Sequence, residues 1–142
     1  LPFTYGPIDK TYKNEITKIL NETGVDYSFL ENFLSENDLA VKRLETDVMI
    51  QLQITDQFSG SMQEHLYAGN VVITGSWLKY SDLVKEGIYY ETIYKMENLT
   101  EKLQEVITDL NKHKKLCENN AGIIRKLSSW HNNLTKWKKL YD

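Results

Sequence analysis

His113 and Cys117 are the residues whose types and spacing come closest to a chemical site in this sequence. A histidine and a cysteine four residues apart on one helix face can both ligate zinc, and His131 could approach from a following helix. A zinc site would still need a fourth ligand or an open position. Both residues also continue an apolar stripe, so packing between helices explains them equally well. The sequence therefore predicts no metal site, no cofactor and no catalytic residue.

The sequence also lacks the local motifs that usually identify an enzyme. It contains no phosphate-binding loop, no paired-cysteine zinc spacing, no His-Glu-x-x-His helix and no nucleophile elbow. A cysteine–histidine nucleophile would need an oxyanion hole and a third orienting group, and nothing near Cys117 suggests either. We therefore predict that the protein is not an enzyme, and the sequence leaves a small-molecule ligand open.

The C-terminal stretch SSWHNNLTKWKKLYD is the second candidate for a functional surface. Its aromatic residues are interleaved with lysines, a composition that suits a membrane interface or single-stranded nucleic acid. The same aromatic residues lie in one helical phase with Leu127 and Leu134, so the alternative is that they form the core of a helical hairpin. The residues that we predict to bind a partner are Trp130, Trp137, Lys138, Lys139 and Tyr141.

The charge is distributed unevenly along the chain. The net charge is −3, but residues 112–142 hold eight basic and two acidic side chains, and residues 1–111 hold nine basic and eighteen acidic ones. The basic end could pack against acidic helices of the same chain or face an acidic partner. The overall acidity argues against nucleic acid as the main partner, so we expect a protein partner or self-association.

The sequence leaves the cellular compartment open. Cys117 is the only cysteine, so no disulfide can form within the chain, which favours an intracellular protein. The alternative is secretion, because the chain begins at Leu1 without Met and has glycosylation sequons at Asn21, Asn98 and Asn133. No apolar run is long enough to predict a transmembrane segment.

A long helix over residues 88–118 is the main element that the pattern predicts. Its apolar positions recur every seven residues, at Tyr89, Met96, Leu103, Leu110 and Cys117. After a turn at residues 118–122 the apolar phase shifts, which indicates a second helix over 121–141. The two helices would form an antiparallel hairpin, and earlier helices would cover its apolar face. Among those, the pattern predicts a helix from Asp9 to Thr23 that ends at Gly24.

Two segments of the middle of the chain are ambiguous. Residues 48–54 alternate like a strand but follow a helical approach without a turn, so we predict a helix over 38–58. Residues 71–80, VVITGSWLKY, have the β-branched and aromatic composition of a strand. A lone strand has no partner, so the two assignments depend on each other.

The predicted fold is therefore a mainly α helical bundle with a long C-terminal hairpin, in a single domain over residues 1–142. The alternative is an α+β fold with a small antiparallel hairpin at about 47–55 and 71–79. Residues 1–7 should form an extended arm because of Pro2, Gly6 and Pro7. The heptad-like helix favours a non-enzymatic protein–protein interaction module, a helical subunit or adaptor of an assembly. The alternative function is a secreted or host-facing helical protein that binds an extracellular target.

Overall fold

The structure, a computed structural model, describes residues 9–141. The chain divides into two compact units, the first extending to Leu39 and the second beginning at Ala40. The predicted arm over residues 1–7 lies outside the described residues. Whether the whole chain acts as a single domain stays a prediction.

The second unit is built on a parallel sheet of three strands in the order β1-β2-β3. The strands are β1 (Val48–Gln51), β2 (Val71–Gly75) and β3 (Glu91–Ile93). Ile73 at the middle of β2 is opposite Ile50 of β1 and opposite Glu91 of β3. The central strand β2 therefore has a hydrogen-bonded neighbour on both sides.

Eight helices and one 3-10 helix accompany these strands in the described part of the chain. They are α1 (Lys10–Thr23), α2 (Glu36–Glu45), α3 (Gly60–Tyr67), α4 (Ser81–Lys85), the 3-10 helix Met96–Asn98, α5 (Leu99–Thr108), α6 (Leu110–Leu116), α7 (Asn120–Ser128) and α8 (Trp130–Lys138). No helix within residues 9–141 is long and apolar enough to cross a membrane.

Every residue of β2 is buried, and this explains why its sequence is a continuous apolar run rather than an alternating one. Val72 packs on one face of the sheet into a cluster with residues of α3, α4 and α7. Val71 and Ile73 pack on the other face with residues of α5 and with Cys117, which follows α6. The sheet is thus the middle layer of three.

The first unit holds α1, which Asp9 caps by accepting hydrogen bonds from the amides of Thr11 and Tyr12 at 2.9 and 3.2 Å. The helix ends at Gly24 with φ of 67°, as the sequence predicts. Lys13 forms an ion pair of 2.5 Å with Glu31. These contacts are local and mostly exposed, so they stabilise the unit modestly.

The predicted helical bundle is wrong, and so is the antiparallel alternative. Two strands do lie within 47–55 and 71–79, but they pair in parallel and β3 adds a third strand. The predicted helix over 38–58 ends in the structure as α2 at Glu45, and β1 begins three residues later. The strand-like alternation of residues 48–54 therefore indicates the structure better than the helical segment before it. The chain passes from α2 to β1 without a glycine or proline between them.

The predicted hairpin of residues 88–118 and 121–141 is also wrong. Its first segment begins with β3, which pairs with β2, and then divides into α5 and α6 at Asp109. Its second segment divides at Ser129, whose backbone is extended, into α7 and α8. Within the seven-residue repeat, Tyr89, Leu103 and Leu110 pack against the buried cluster that contains Cys117, whereas Met96 is exposed.

Asn120 connects the first turn of α7 to the start of β3. Its side chain is fully buried, accepts a hydrogen bond from the Tyr89 amide at 2.9 Å and donates one to the Tyr89 carbonyl at 2.8 Å. Replacing Asn120 with alanine removes both bonds and leaves two backbone groups unpaired. We expect Asn120→Ala to lower the free energy of unfolding by about 2 to 3 kcal/mol in urea denaturation. Asn119→Ala, an exposed neighbour, is the control and should stay within about 0.5 kcal/mol; equal losses in both variants would contradict the role of Asn120.

Candidate functional site

The carboxyl ends of the three strands lie at one edge of the sheet, because parallel strands all end on the same side. Ligands of open parallel sheets bind in the crevice outside this edge. Here the edge is formed by the ends of β1 and β2, by the loop 52–59 and by the loop 76–80. We call this group of residues the carboxyl-edge site.

Gln51 and Thr74 are the residues that mark this edge as a binding site. They are opposite each other in the sheet register, so their side chains lie on the same face. Their side chains are buried, with 5% and 1% of their surface exposed. Neither Gln51 Nε2 nor Thr74 Oγ1 has a hydrogen-bond partner among the described residues. A buried polar group without a partner is costly, so a pair of them indicates a place where an outside group can bind.

Asp56 anchors the loop that follows β1. Its carboxylate accepts hydrogen bonds from the Tyr80 hydroxyl and, at 3.1 Å, from the Ser59 amide. Burial raises the pKa of Asp56, but the Tyr80 and Ser59 hydrogen bonds more than offset burial, so its pKa lies below its ordinary value. The Gln51 side chain also lies close enough to Asp56 to lower its pKa. Burial and the Asp56 carboxylate both raise the pKa of Tyr80. Asp56 is therefore a charged acceptor and Tyr80 a neutral donor.

Trp77 holds the two loops together at the exposed side of the site. Its indole Nε1 donates a hydrogen bond of 2.8 Å to the carbonyl of Gln53. The ring lies over Gly75, where a Cβ atom would overlap it. Glycine at the end of β2 therefore allows the indole to approach the backbone closely.

Helix α3 begins at the same edge and is capped by Ser59, whose hydroxyl accepts from the Met62 amide at 3.3 Å. Phe58, just before the cap, has a φ of 62°, a conformation that is rare outside glycine. Gln63 stabilises this turn by donating to the Phe58 carbonyl at 2.8 Å. This turn leads into α3, which begins at the carboxyl edge because it follows β1.

The arrangement suits a ligand rich in hydroxyl or phosphate oxygens. The Gln51 amide and the Thr74 hydroxyl can donate hydrogen bonds, and Asp56 can accept them. The amides at the start of α3 add further donors and a positive dipole end. These groups can therefore recognise the polar atoms of a ligand.

Arg43 lies against the side of α3, and each nitrogen of its guanidinium has a partner there. Its guanidinium contacts Glu64 at 3.1 Å, Ser61 Oγ at 2.9 Å and His65 Nε2 at 2.9 Å. The other ring nitrogen of His65 lies 2.7 Å from Asn70 Nδ2. Burial and the neighbouring Arg43 charge lower the pKa of His65 to about 4. This cluster is structural because all three guanidinium nitrogens of Arg43 and both ring nitrogens of His65 have a partner within it.

His113 and Cys117, the zinc candidates of the sequence, lie instead in the buried packing beneath α5 and α6. His113 Nδ1 lies 2.9 Å from Glu91 Oε1 and 3.0 Å from the Tyr89 hydroxyl. Burial, followed by the Glu91 charge, raises the pKa of Cys117 to about 11. The thiol is therefore protonated at neutral pH and is not an activated nucleophile. No group of three His, Cys, Asp or Glu side chains within residues 9–141 could hold a metal ion.

The predicted partner-binding residues are exposed on α8 and the turn after it. Trp130 and Tyr141 have 74% and 84% of their surface exposed, and Trp137, Lys138 and Lys139 are exposed too. They do not form the core of a hairpin, which was the alternative that the helical phase left open. None of them belongs to the carboxyl-edge site. The sequence reasoning missed Gln51, Thr74 and Asp56; the available signal was a polar residue at the end of each apolar run, followed by a loop.

Comparison with known proteins gives one structural likeness. No known family and no curated protein matches the sequence. Among solved structures, the fold resembles sucrose-phosphate synthase from Thermosynechococcus elongatus, with a TM-score of 0.79 and 18% identity. The match covers 99% of this chain but 37% of that protein, so the chain spans little more than a third of its length. At this identity the likeness shows the α/β fold alone.

The low pKa of His65 predicts a loss of stability in mild acid. As the pH falls below 6.5, the ordinary pKa, the unfolded chain takes up a proton that folded His65 does not accept until about pH 4. The free energy of unfolding should therefore decrease by about 1 kcal/mol between pH 6.5 and 5, above the range in which carboxylates titrate. His65→Gln should remove this slope in denaturant titrations at several pH values, whereas His131→Gln, on the exposed surface of α8, should keep it. An unchanged slope in His65→Gln would show that another group causes it.

Proposed function

We propose that this chain is a ligand-binding part of a glycosyltransferase-type enzyme, and that a sugar or sugar-phosphate ligand binds at the carboxyl-edge site. The observation that carries the proposal is the pair of buried, unpartnered polar atoms, Gln51 Nε2 and Thr74 Oγ1. Two such atoms side by side at the ligand-binding edge of a parallel sheet favour a ligand over a packing defect.

The class of ligand follows from the donors and acceptors that remain available. Sugar hydroxyls both donate and accept hydrogen bonds, as the neighbouring Asp56 carboxylate and Gln51 amide require. Phosphate oxygens only accept, which suits the Thr74 hydroxyl and the amides at the start of α3. The fold likeness to sucrose-phosphate synthase adds support because that enzyme's product is a phosphorylated sugar. Fold likeness alone would not carry this proposal, since one fold serves many functions.

The second candidate function is the non-enzymatic interaction module that the sequence predicts. The exposure of Trp130, Trp137 and Tyr141 supports it. Its original basis, a long heptad-like helix with an uncovered face, is weaker, since residues 99–117 cover the sheet instead. We therefore place the ligand-binding function first.

Thr74→Val tests the proposed function because it separates stability from binding. Valine has nearly the same shape as threonine and lacks the unpartnered hydroxyl. We expect the ligand-free variant to be more stable than the wild type by about 1 kcal/mol. We expect it also to bind glucose 6-phosphate and uridine diphosphate glucose more weakly, by about tenfold for one lost hydrogen bond, in isothermal titration calorimetry.

Thr100→Val is the matched control, because Thr100 is exposed on α5 and far in sequence from the site. It should leave affinity for both probes unchanged. A Thr74→Val protein that is destabilised would show that the hydroxyl already has a partner. Equal binding by both variants, or no binding by the wild type, would reject the carboxyl-edge site as the place where these probes bind.

A further inference from the structure

One face of α8 is apolar and uncovered in the described part of the chain. Residues spaced by four, three and four positions form a continuous stripe along this helix and the turn that follows it. The stripe continues past the end of α8 because the amide of Tyr141 still bonds the carbonyl of Lys138 at 3.0 Å. The residues of this stripe are Trp130, Leu134, Trp137 and Tyr141, and each has close to half or more of its surface exposed. We call it the α8 surface.

Lysines accompany the α8 surface, and no acidic residue lies between Glu118 and Asp142 in the sequence. Lys138 lies beside the stripe around the helix, Lys136 lies about a quarter turn from it, and Lys139 lies on the opposite side. Lys136 contacts only the Asn133 amide oxygen, at 3.2 Å, and Lys138 and Lys139 form no ion pair within residues 9–141. Within the described residues, the basic charge of α8 is therefore not neutralised by an ion pair.

Several lysines elsewhere in the second unit form ion pairs with acidic side chains. Lys102 forms ion pairs with Glu91 and Glu105, Lys114 with Asp47, and Lys126 with Glu86. The last two come from α6 and α7, so the basic character of residues 112–142 is partly cancelled before α8 begins. Lys112, Lys115 and Arg125 form no ion pair within residues 9–141 either, so the exposed tryptophans beside the lysines, and not unpaired charge alone, distinguish the α8 surface.

We propose that the α8 surface docks onto an anionic lipid bilayer, with the helix lying in the plane of the interface. Helices that bind this way carry tryptophan and leucine on one face and lysine beside it, and they need no length that would span the bilayer. Tryptophan and tyrosine suit the headgroup level because each ring is apolar at one end and polar at the other. The remaining chain is acidic, so an anionic surface repels it and attracts the α8 end, which orients the molecule.

The charge distribution favours an anionic surface as the occupant. Residues 112–142 hold eight basic and two acidic side chains, whereas residues 1–111 hold nine basic and eighteen acidic ones. Lysine also extends its charge to the headgroups while its aliphatic stem stays in the apolar boundary. This inference is independent of the proposed ligand-binding function.

The test is sedimentation of the chain with vesicles of phosphatidylcholine alone and of phosphatidylcholine mixed with phosphatidylserine. We expect binding to the mixed vesicles only, weakened by added salt and accompanied by a blue shift of tryptophan emission. The triple variant Lys136→Gln, Lys138→Gln, Lys139→Gln should bind on the order of a hundredfold more weakly. Its matched control is Lys95→Gln, Lys112→Gln, Lys115→Gln, which makes the same change of charge at exposed positions elsewhere and should bind like the wild type.

A second variant, Trp130→Ser with Trp137→Ser, tests the apolar contribution. It should bind the mixed vesicles much more weakly, and any binding that remains should still weaken with added salt. Failure of the wild type to bind the mixed vesicles overturns the proposal. Equal loss in the two lysine variants does so as well, because attraction would then be a matter of net charge. If sedimentation equilibrium shows instead that the wild type self-associates and the tryptophan variant is monomeric, the α8 surface is a protein interface and the lipid proposal is wrong.

Discussion

The burial of β2 on both faces is the constraint on which the rest of the second unit depends. A strand with five buried residues needs hydrogen-bonded neighbours at both edges and an apolar layer on each side. β1 and β3 supply the neighbours, and the helices from α3 to α7 supply the layers. Parallel pairing follows from the connections, because α3 and α4 each carry the chain back to the starting edge before the next strand. Asn120 then fixes the last layer to the backbone of the segment that enters β3.

This parallel order also determines where polar chemistry can occur. The apolar side chains of β2 extend to Ile73. The strand then ends in Thr74 and Gly75, which are not among the apolar core residues. Gln51 ends the neighbouring strand at the same level. The loops beyond them are held by Asp56, Tyr80 and Trp77, so the polar ends remain buried but without partners. If the proposed ligand binds at this edge, its site lowers the stability of the ligand-free protein, as is common at binding sites.

The sequence predicts the local features well and the long-range ones poorly. The helix that Asp9 begins and Gly24 ends is confirmed, because both signals act within a few residues. The strand composition of residues 71–80 is visible, yet its partners lie more than fifteen residues away on either side, and no local pattern specifies parallel pairing. The stripe from Tyr89 to Cys117 misleads because an apolar residue every seven positions fits both one long helix and a strand followed by two short ones. The candidate site depends on that same pairing, so Gln51 and Thr74 could not be brought together from the sequence.

The parallel register of β2 is the central claim, and nuclear Overhauser contacts between backbone protons test it most directly. In a uniformly labelled sample, the account predicts contacts of Ile73 with Ile50 on one side and with Glu91 on the other, in parallel geometry without close pairs of α-protons. Close contacts between α-protons of β1 and β2 would indicate an antiparallel hairpin. That result would contradict the three-layer sheet and remove the shared edge on which the carboxyl-edge site depends.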